Sequence, residues 1–289
     1  MNACALDYES KTRLVDDINS ILDKYRLEKI GIDNLPQLIR GYLYDGMMEG
    51  YNISERVIAN TWPRIKRGRF YHFTSANAAE SIVNSGAVRL YSISKRYNEN
   101  EIGDFLRIHD FAGYLDEDES GFPLYRKELM DKIFYFSMVS QDIGEKNEEV
   151  LWRRFASNGG VRLGLNVVAE NPDFRRMVYE KQKGKPLDLL SELSKMTQEK
   201  YGIKFLFEGL SRLCAFYLPM DYDDEFEVRM LYKYNNGQGV SILNDGSSTF
   251  VEAMLGDYGC IGYKVDIEEI TTDAKLCIPE GINVVKRNR

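Results

Sequence analysis

The stretch Phe70–Glu101, FYHFTSANAAESIVNSGAVRLYSISKRYNENE, has the pattern of a strand, a short helix and a second strand. Its aromatic beginning, which includes His72, is typical of a strand, and the Ser75 hydroxyl can cap a helix that starts after it. Four apolar residues then recur at helical spacing, and Gly86 supplies the left-handed residue at which helices commonly stop. The second strand alternates apolar and polar residues and carries Tyr91. The pattern therefore predicts a strand with His72 near a strand with Tyr91.

These motifs resemble the NAD-binding half of the ADP-ribosyltransferase superfamily, in its histidine–tyrosine–glutamate branch. The resemblance rests on His-x-Thr at His72, a small helix closed by glycine, and Arg-x-Tyr-Ser at Tyr91. It implies a glutamate on a later strand, and Glu227 alternates with apolar neighbours in the strand-like run 224–231. The likeness extends over about residues 68 to 289 and includes a poorly characterised group of related bacterial domains.

The resemblance implies a role for each of these residues, with NAD as co-substrate and no metal. His72 would hydrogen-bond the nicotinamide ribose, and Tyr91 would stack on the nicotinamide ring. Glu227 would bind the 2′-hydroxyl and stabilise the positive charge that develops at the anomeric carbon. By the same resemblance, further residues expected to bind or shape the NAD site are Phe73, Thr74, Ser92, Asn98 and Arg153.

Each of the three catalytic assignments has a structural alternative that the sequence leaves open. His72 on an aromatic strand is also compatible with a hydrogen-bonded core histidine, and Tyr91 with a core tyrosine. Glu227 is also compatible with an ion pair to Arg229 or Arg89 across neighbouring strands.

The predicted fold class is α+β, with an ADP-ribosyltransferase-like pair of small packed β-sheets and flanking helices. A helical extension is expected over residues 1–66 and the main domain over residues 67–289. In the extension, the apolar spacing predicts helices around 14–25, from Asn34 to Met47, and from Ser54. In the main domain, apolar runs predict strands near 133–137, 161–165, 226–234 and 261–266, and helices over 187–196 and 205–216.

Composition and charge limit the class of protein. The 289 residues are 44% hydrophobic and 29% charged, which is typical of a folded globular protein rather than a disordered one. The net charge of −7 gives no general attraction to a phosphate backbone. The segment Arg64–Arg69 is a local exception, because four cations precede the His72 strand. It is expected either to guide a phosphate-bearing substrate or to be a solvated charged linker.

Cysteine usage and hydropathy indicate the compartment. The four cysteines are scattered without CxxC spacing, and no hydrophobic signal segment precedes them. No run approaches the roughly 18 consecutive apolar residues that a membrane-spanning helix needs. We therefore expect a reduced, cytoplasmic protein with no membrane partner.

The expected function is that of an NAD-dependent ADP-ribosyltransferase, a glycosyltransferase that cleaves the nicotinamide ribosyl bond of NAD. RNA, DNA, protein and water stay open as acceptors. A role as a bacterial toxin or antiviral, phage-defence effector, with an antitoxin or inhibitor protein as partner, is what the resemblance implies. One alternative is a metal-dependent nuclease that uses Asp223, Asp224, Glu225 and Glu227, and another is a non-catalytic interaction protein.

Overall fold

The computed structural model describes residues 6–39, 42–45, 52–94, 105, 132–156, 159–179, 185–207, 209–218, 226–234 and 239–287. The helices in these ranges are α1 (Tyr8–Lys24), α2 (Ile53–Thr61), α3 (Ala76–Ser85), α4 (Glu145–Phe155), α5 (Lys185–Tyr201) and α6 (Leu210–Ala215). The strands are β1 (Gln37–Ile39), β2 (Tyr42–Tyr44), β3 (Arg67–Thr74), β4 (Ala87–Ser92), β5 (Ile133–Ser140), β6 (Val161–Ala169), β7 (Phe174–Arg176), β8 (Val178–Tyr179), β9 (Lys204–Leu206), β10 (Tyr217–Leu218), β11 (Glu227–Lys233), β12 (Leu243–Asn244), β13 (Thr249–Met254), β14 (Tyr263–Thr272) and β15 (Val284–Lys286). This combination confirms the α+β class.

The described residues divide into two compact units. Those before Arg64, together with Phe105 and the segment Val178–Leu218, form the first unit, and the others form the second. The predicted boundary at residue 66 lies beside the start of the second unit. The segment 178–218 was predicted within the later domain, and the structure places it in the first unit. An independent helical extension over residues 1–66 stays a prediction.

In the first unit, α1 and α5 lie antiparallel and are joined by two hydrogen bonds, each from the end of one helix to the middle of the other. The Tyr201 hydroxyl donates to Asp17 Oδ2 at 2.8 Å, and the Tyr25 hydroxyl donates to Glu192 Oε1 at 2.9 Å. Each carboxylate lies within one helix and each tyrosine at the end of the other. The two bonds therefore fix the register of the helix pair.

One helix prediction in this unit was wrong, and another was confirmed only in part. The segment predicted as a helix from Asn34 to Met47 contains β1 and β2, whereas the segment predicted as a helix over 205–216 begins as β9 and then contains α6. Strand β2 pairs with β9 in parallel, with Leu43 opposite Phe205. Such pairing between distant segments overrides a local apolar spacing, because strand formation depends on neighbours that a single segment does not contain.

In the second unit, β5 is the strand on which the sheet is organised. One edge pairs with β11 along almost the whole strand, from Ile133 to Val139. The other edge pairs with two strands in turn, β3 at residues 139–140 and β4 at residues 134–135. The other edge of β3 pairs with β6, and the other edge of β4 pairs with β13. The sheet is therefore split beside residues 136–138 of β5.

The split differs from the predicted arrangement of sheets. The pattern led us to expect two separate small sheets, whereas these strands form one hydrogen-bonded sheet with two wings. One wing consists of β4, β13 and β12, and the other of β3, β6, β14 and β15. The wings stay in one sheet because both retain pairs with β5. The strands of His72 and Tyr91 thus meet through β5 rather than directly.

The connection between the two wings is α3, and its local sequence signals are confirmed. Ser75 caps the helix by accepting from the Ala78 N–H, and Gly86 ends it with φ of 66°. The buried side chains of Ala79 and Val83 belong to the main apolar core of this unit. The helix is therefore anchored above one face of the split sheet.

A tight backbone contact follows α4. A Cβ added to Gly160 would lie 2.5 Å from Ala156 Cα and 2.6 Å from its carbonyl oxygen, and neither backbone atom can rotate away. We expect Gly160→Ala to lower the free energy of unfolding by about 1–3 kcal/mol through overpacking, measured by urea denaturation. The control is Gly31→Ala in the first unit, where a Cβ meets nothing within 4 Å. Equal midpoints for wild type and Gly160→Ala would contradict the expectation.

Candidate functional site

A cleft of about 540 Å³ opens at the split between β3 and β4. Small-molecule sites commonly have volumes of about 300–1,000 Å³. His72 and Thr74 line it from β3, Tyr91 and Arg89 from β4, and Ser137 from β5. The first turns of α3 complete the described wall. The structure therefore brings two of the three predicted catalytic residues, His72 and Tyr91, to one cavity.

His72 is held at the split by a bond to the backbone of β5. Its Nδ1 lies 2.8 Å from the carbonyl oxygen of Ser137, and its ring packs against Phe136 with centroids 4.4 Å apart. A carbonyl can only accept, so Nδ1 carries the hydrogen and Nε2 is left as an acceptor. Burial lowers the pKa of His72 to about 4. At neutral pH the residue is thus an uncharged hydrogen-bond acceptor in the wall of the cleft.

Glu227 lies on the neighbouring strand β11 and is separated from the cleft by Ser137, which lines it. Its carboxylate accepts from Arg229, with Nε at 2.7 Å and Nη2 at 3.1 Å, and from the hydroxyl of Ser137. Both charged side chains are buried. The ion pair with Arg229, which the sequence left open for Glu227, is thus present. Glu227 is not one of the described residues that line the cleft.

Ser137 links His72, which lines the cleft, to Glu227, which does not. Its carbonyl accepts from His72 and its hydroxyl donates to Glu227. Successive side chains of a strand point to opposite faces, so Ser137 points away from Phe136, the residue against which His72 packs. Through Ser137 the buried carboxylate is linked to the cleft wall.

Tyr91 presents its side chain at the mouth of the cleft. It is 36% exposed, so it is not a core tyrosine. Its hydroxyl donates to Asp245 Oδ2 at 3.3 Å, and its ring lies 5.7 Å from that of Phe250. Asp245 itself is fixed in the β12–β13 turn, where its Oδ1 accepts from the N–H groups of Ser247 and Ser248. The hydroxyl of Ser247 also donates to Oδ1, and this bond, followed by the two backbone bonds, lowers the pKa of Asp245 to about 2.

Of the additional residues expected at the NAD site, only Thr74 is brought to the described wall of the cleft. Phe73 packs edge-on against Trp152 at 5.4 Å, and Ser92 is buried with its hydroxyl on Ser94. Arg153 lies on α4, largely exposed, with Glu149 3.6 Å away. Asn98 lies outside the described residues.

The carboxylates of the metal-dependent alternative are placed only in part. Asp223, Asp224 and Glu225 lie outside the described residues, and Glu227 is engaged with Arg229. The described portion of the chain contains no group of three or more His, Cys, Asp or Glu residues that could hold a metal ion.

Sequence reasoning missed Ser137, Tyr135 and Asn77, which also line the cleft. One signal was available for Ser137, because it is a polar residue in the otherwise apolar run 133–139. A buried polar group needs a hydrogen-bond partner, so such a residue points to a specific contact. Nothing in the local pattern distinguishes Tyr135 from the other aromatic residues of that run.

The state of His72 can be tested directly, since the chain has only two histidines. In the folded protein we expect the imidazole to titrate near pH 4 with the hydrogen on Nδ1. The unfolded chain binds this proton more tightly, with a pKa of about 6.5, so His72 lowers the free energy of unfolding as pH falls from about 6.5 to about 4. NMR of the imidazole signals, assigned with His109→Gln, measures both properties. A midpoint near 6.5 would refute the neutral state of a partly buried His72.

The ion pair between Glu227 and Arg229 is expected to matter most when only one partner is removed. Glu227→Leu leaves the buried guanidinium without this carboxylate and should cost about 3–5 kcal/mol of unfolding free energy. Removing both charges in Glu227→Leu/Arg229→Met should restore most of that loss. Urea denaturation of both single variants and the double variant measures the coupling. A double variant whose loss equals the sum of the two single losses would contradict it.

The described residues include no helix long and apolar enough to span a bilayer. Comparison of the chain with family models, with curated proteins and with solved structures gave no match.

Proposed function

We propose that this protein is an NAD-dependent ADP-ribosyltransferase that cleaves the bond between nicotinamide and ribose. The observation that carries the proposal is the cleft at the split sheet, which His72 and Tyr91 line together from two different strands. Its volume suits a small-molecule ligand.

The chemistry of the cleavage agrees with the groups at the cleft. The reaction passes through an oxocarbenium-like state, which needs a nearby carboxylate and firm contacts to the ribose. Neutral His72 offers Nε2 as an acceptor for a ribose hydroxyl. The half-exposed ring of Tyr91 offers a surface on which a nicotinamide ring can stack. Nicotinamide leaves as a neutral molecule, so the cleft needs no strong acid.

Glu227 has a more indirect part in this proposal than the resemblance implies. In this proposal the Ser137 hydroxyl, which donates its hydrogen to Glu227, turns its oxygen to the ligand and accepts a hydrogen from it. Chains of hydrogen bonds polarise one another in a low-dielectric interior. Glu227 would therefore act on the ribose through Ser137 and favour positive charge at the anomeric carbon.

The acceptor and the biological setting belong to the same proposal. Transfer to protein, RNA or DNA, or to water, leaves the nicotinamide-release step unchanged. The role of a bacterial toxin or phage-defence effector, controlled by an antitoxin or inhibitor protein, rests on the family resemblance. Identification of the labelled acceptor addresses it.

The test is nicotinamide release from NAD by purified protein, alone and with protein extract, RNA or DNA. We expect Glu227→Gln, Ser137→Ala and His72→Ala each to lower the rate about 100-fold or more, as loss of a preorganised polar contact does. Glu268→Gln is the matched control, because Glu268 also pairs with an arginine, Arg69, but lies outside the cleft wall. Circular dichroism and thermal melting verify that each variant is folded.

Two outcomes would refute the proposal. One is that wild-type protein neither binds nor consumes NAD with any of these acceptors. The other is that NAD is consumed at the same rate by wild type and by the three cleft variants.

A further inference from the structure

Arg89 gives the cleft its charge. Among the described residues that line the cleft, Arg89 alone carries a formal charge at neutral pH, since His72 is neutral and the others are apolar, hydroxyl or amide side chains. A single cation in a concave, partly desolvated wall attracts anions more strongly than the same cation on an open surface. The positive charge of the described wall is therefore that of Arg89.

Arg89 is held in position by the wing of the sheet that contains β13. It lies directly opposite Glu252, with 3.5 Å between Arg89 Nε and Glu252 Oε1. Its guanidinium carbon is 4.4 Å from the centroid of the Phe250 ring. Tyr91 and then Glu252 raise its pKa. These contacts fix the side chain without using all five of its N–H donors.

The remaining polar groups of the wall are suited to an anion as well. Thr74, Ser75, Asn77 and Ser81 contribute hydroxyl and amide donors beside the start of α3. The Ser75 oxygen accepts from the Ala78 N–H, which leaves its hydroxyl hydrogen for a ligand. Aromatic surface is provided nearby by Tyr91 and Tyr135. The wall thus combines donors and one cation with surfaces for a planar ring.

We infer that Arg89 is the anion-binding group of the cleft and that the ligand places a phosphate or pyrophosphate against its guanidinium. The inference rests on the proposed function and deepens it, because it assigns the pyrophosphate end of a dinucleotide to β4. Arginine suits this role, since its planar fork of donors matches phosphate oxygens.

Substitutions of Arg89 and of its partner Glu252 are expected to change the affinity for phosphate-bearing ligands in opposite directions. In the free protein this carboxylate competes with an incoming anion for the guanidinium. Arg89→Gln should weaken binding of phosphate-bearing ligands about ten- to a hundredfold, the range for a hydrogen bond to a charged group. Glu252→Gln should strengthen it by up to about fivefold, the range for an exposed ion pair. Arg176→Gln, at an exposed arginine of β7 in the same unit, is the control.

The experiment is isothermal titration calorimetry of wild type and the three variants with NAD, ADP-ribose, nicotinamide mononucleotide and nicotinamide riboside. The first three ligands carry phosphate and the riboside does not. We expect Arg89→Gln to weaken the first three and to leave the riboside unchanged, with thermal melting as the folding control. Equal effects on all four ligands, no effect on any, or no binding of any phosphate-bearing ligand by wild type would overturn the inference.

Failure of this inference is distinguishable from failure of the proposed function. If NAD is cleaved but Arg89→Gln leaves its KM unchanged, the inference fails and the function stands. If ADP-ribose binds through Arg89 but NAD is never cleaved, the inference stands and the function fails.

Discussion

The hydrogen-bonding capacity of β5 is the constraint on which the second unit depends. One edge of β5 is filled by β11, while the other is shared between β3 and β4 and leaves a gap beside residues 136–138. A backbone carbonyl in such a gap still needs a donor, and His72 supplies one to Ser137. The same contact lies in the wall of the cleft and sets the tautomer of the histidine. One hydrogen bond therefore satisfies the carbonyl in the gap of the sheet and also determines which nitrogen of His72 carries the hydrogen.

The strand–helix–strand unit could be predicted from sequence because its signals are local. The Ser75 cap, the left-handed Gly86 and the alternation of β4 are all present as predicted. The strand of Phe205 could not be predicted, because its partner β2 lies more than a hundred residues away, and the strand of Tyr42 pairs both with that distant strand and with the adjacent β1. The placement of residues 178–218 in the first unit also depends on contacts with distant parts of the chain, which the local sequence does not reveal.

The candidate site shows the same division between local and distant information. His72 and Tyr91 meet in the cleft because short loops and α3 fix their strands. Whether Glu227 faces a ligand or an arginine depends on what packs around β11, and Arg229 lies only two residues away in the sequence. A buried charged pair costs desolvation energy that packing alone would avoid. The pair beside Ser137 offsets part of that cost through the two hydrogen bonds from Arg229 to Glu227.

The tautomer of His72 also has a consequence for molecular selectivity. With Nδ1 committed to Ser137, the imidazole offers the cleft a lone pair and no hydrogen. A bound molecule must bring a hydroxyl or an N–H to that point, and a carbonyl, an ether oxygen or a bare methylene there leaves the lone pair unmet. Loss of a hydrogen bond in a partly dehydrated wall penalises such molecules more than it would in water. Under the proposed function, a sugar that lacks a hydroxyl at this position should therefore bind more weakly, through a lost hydrogen bond rather than through shape.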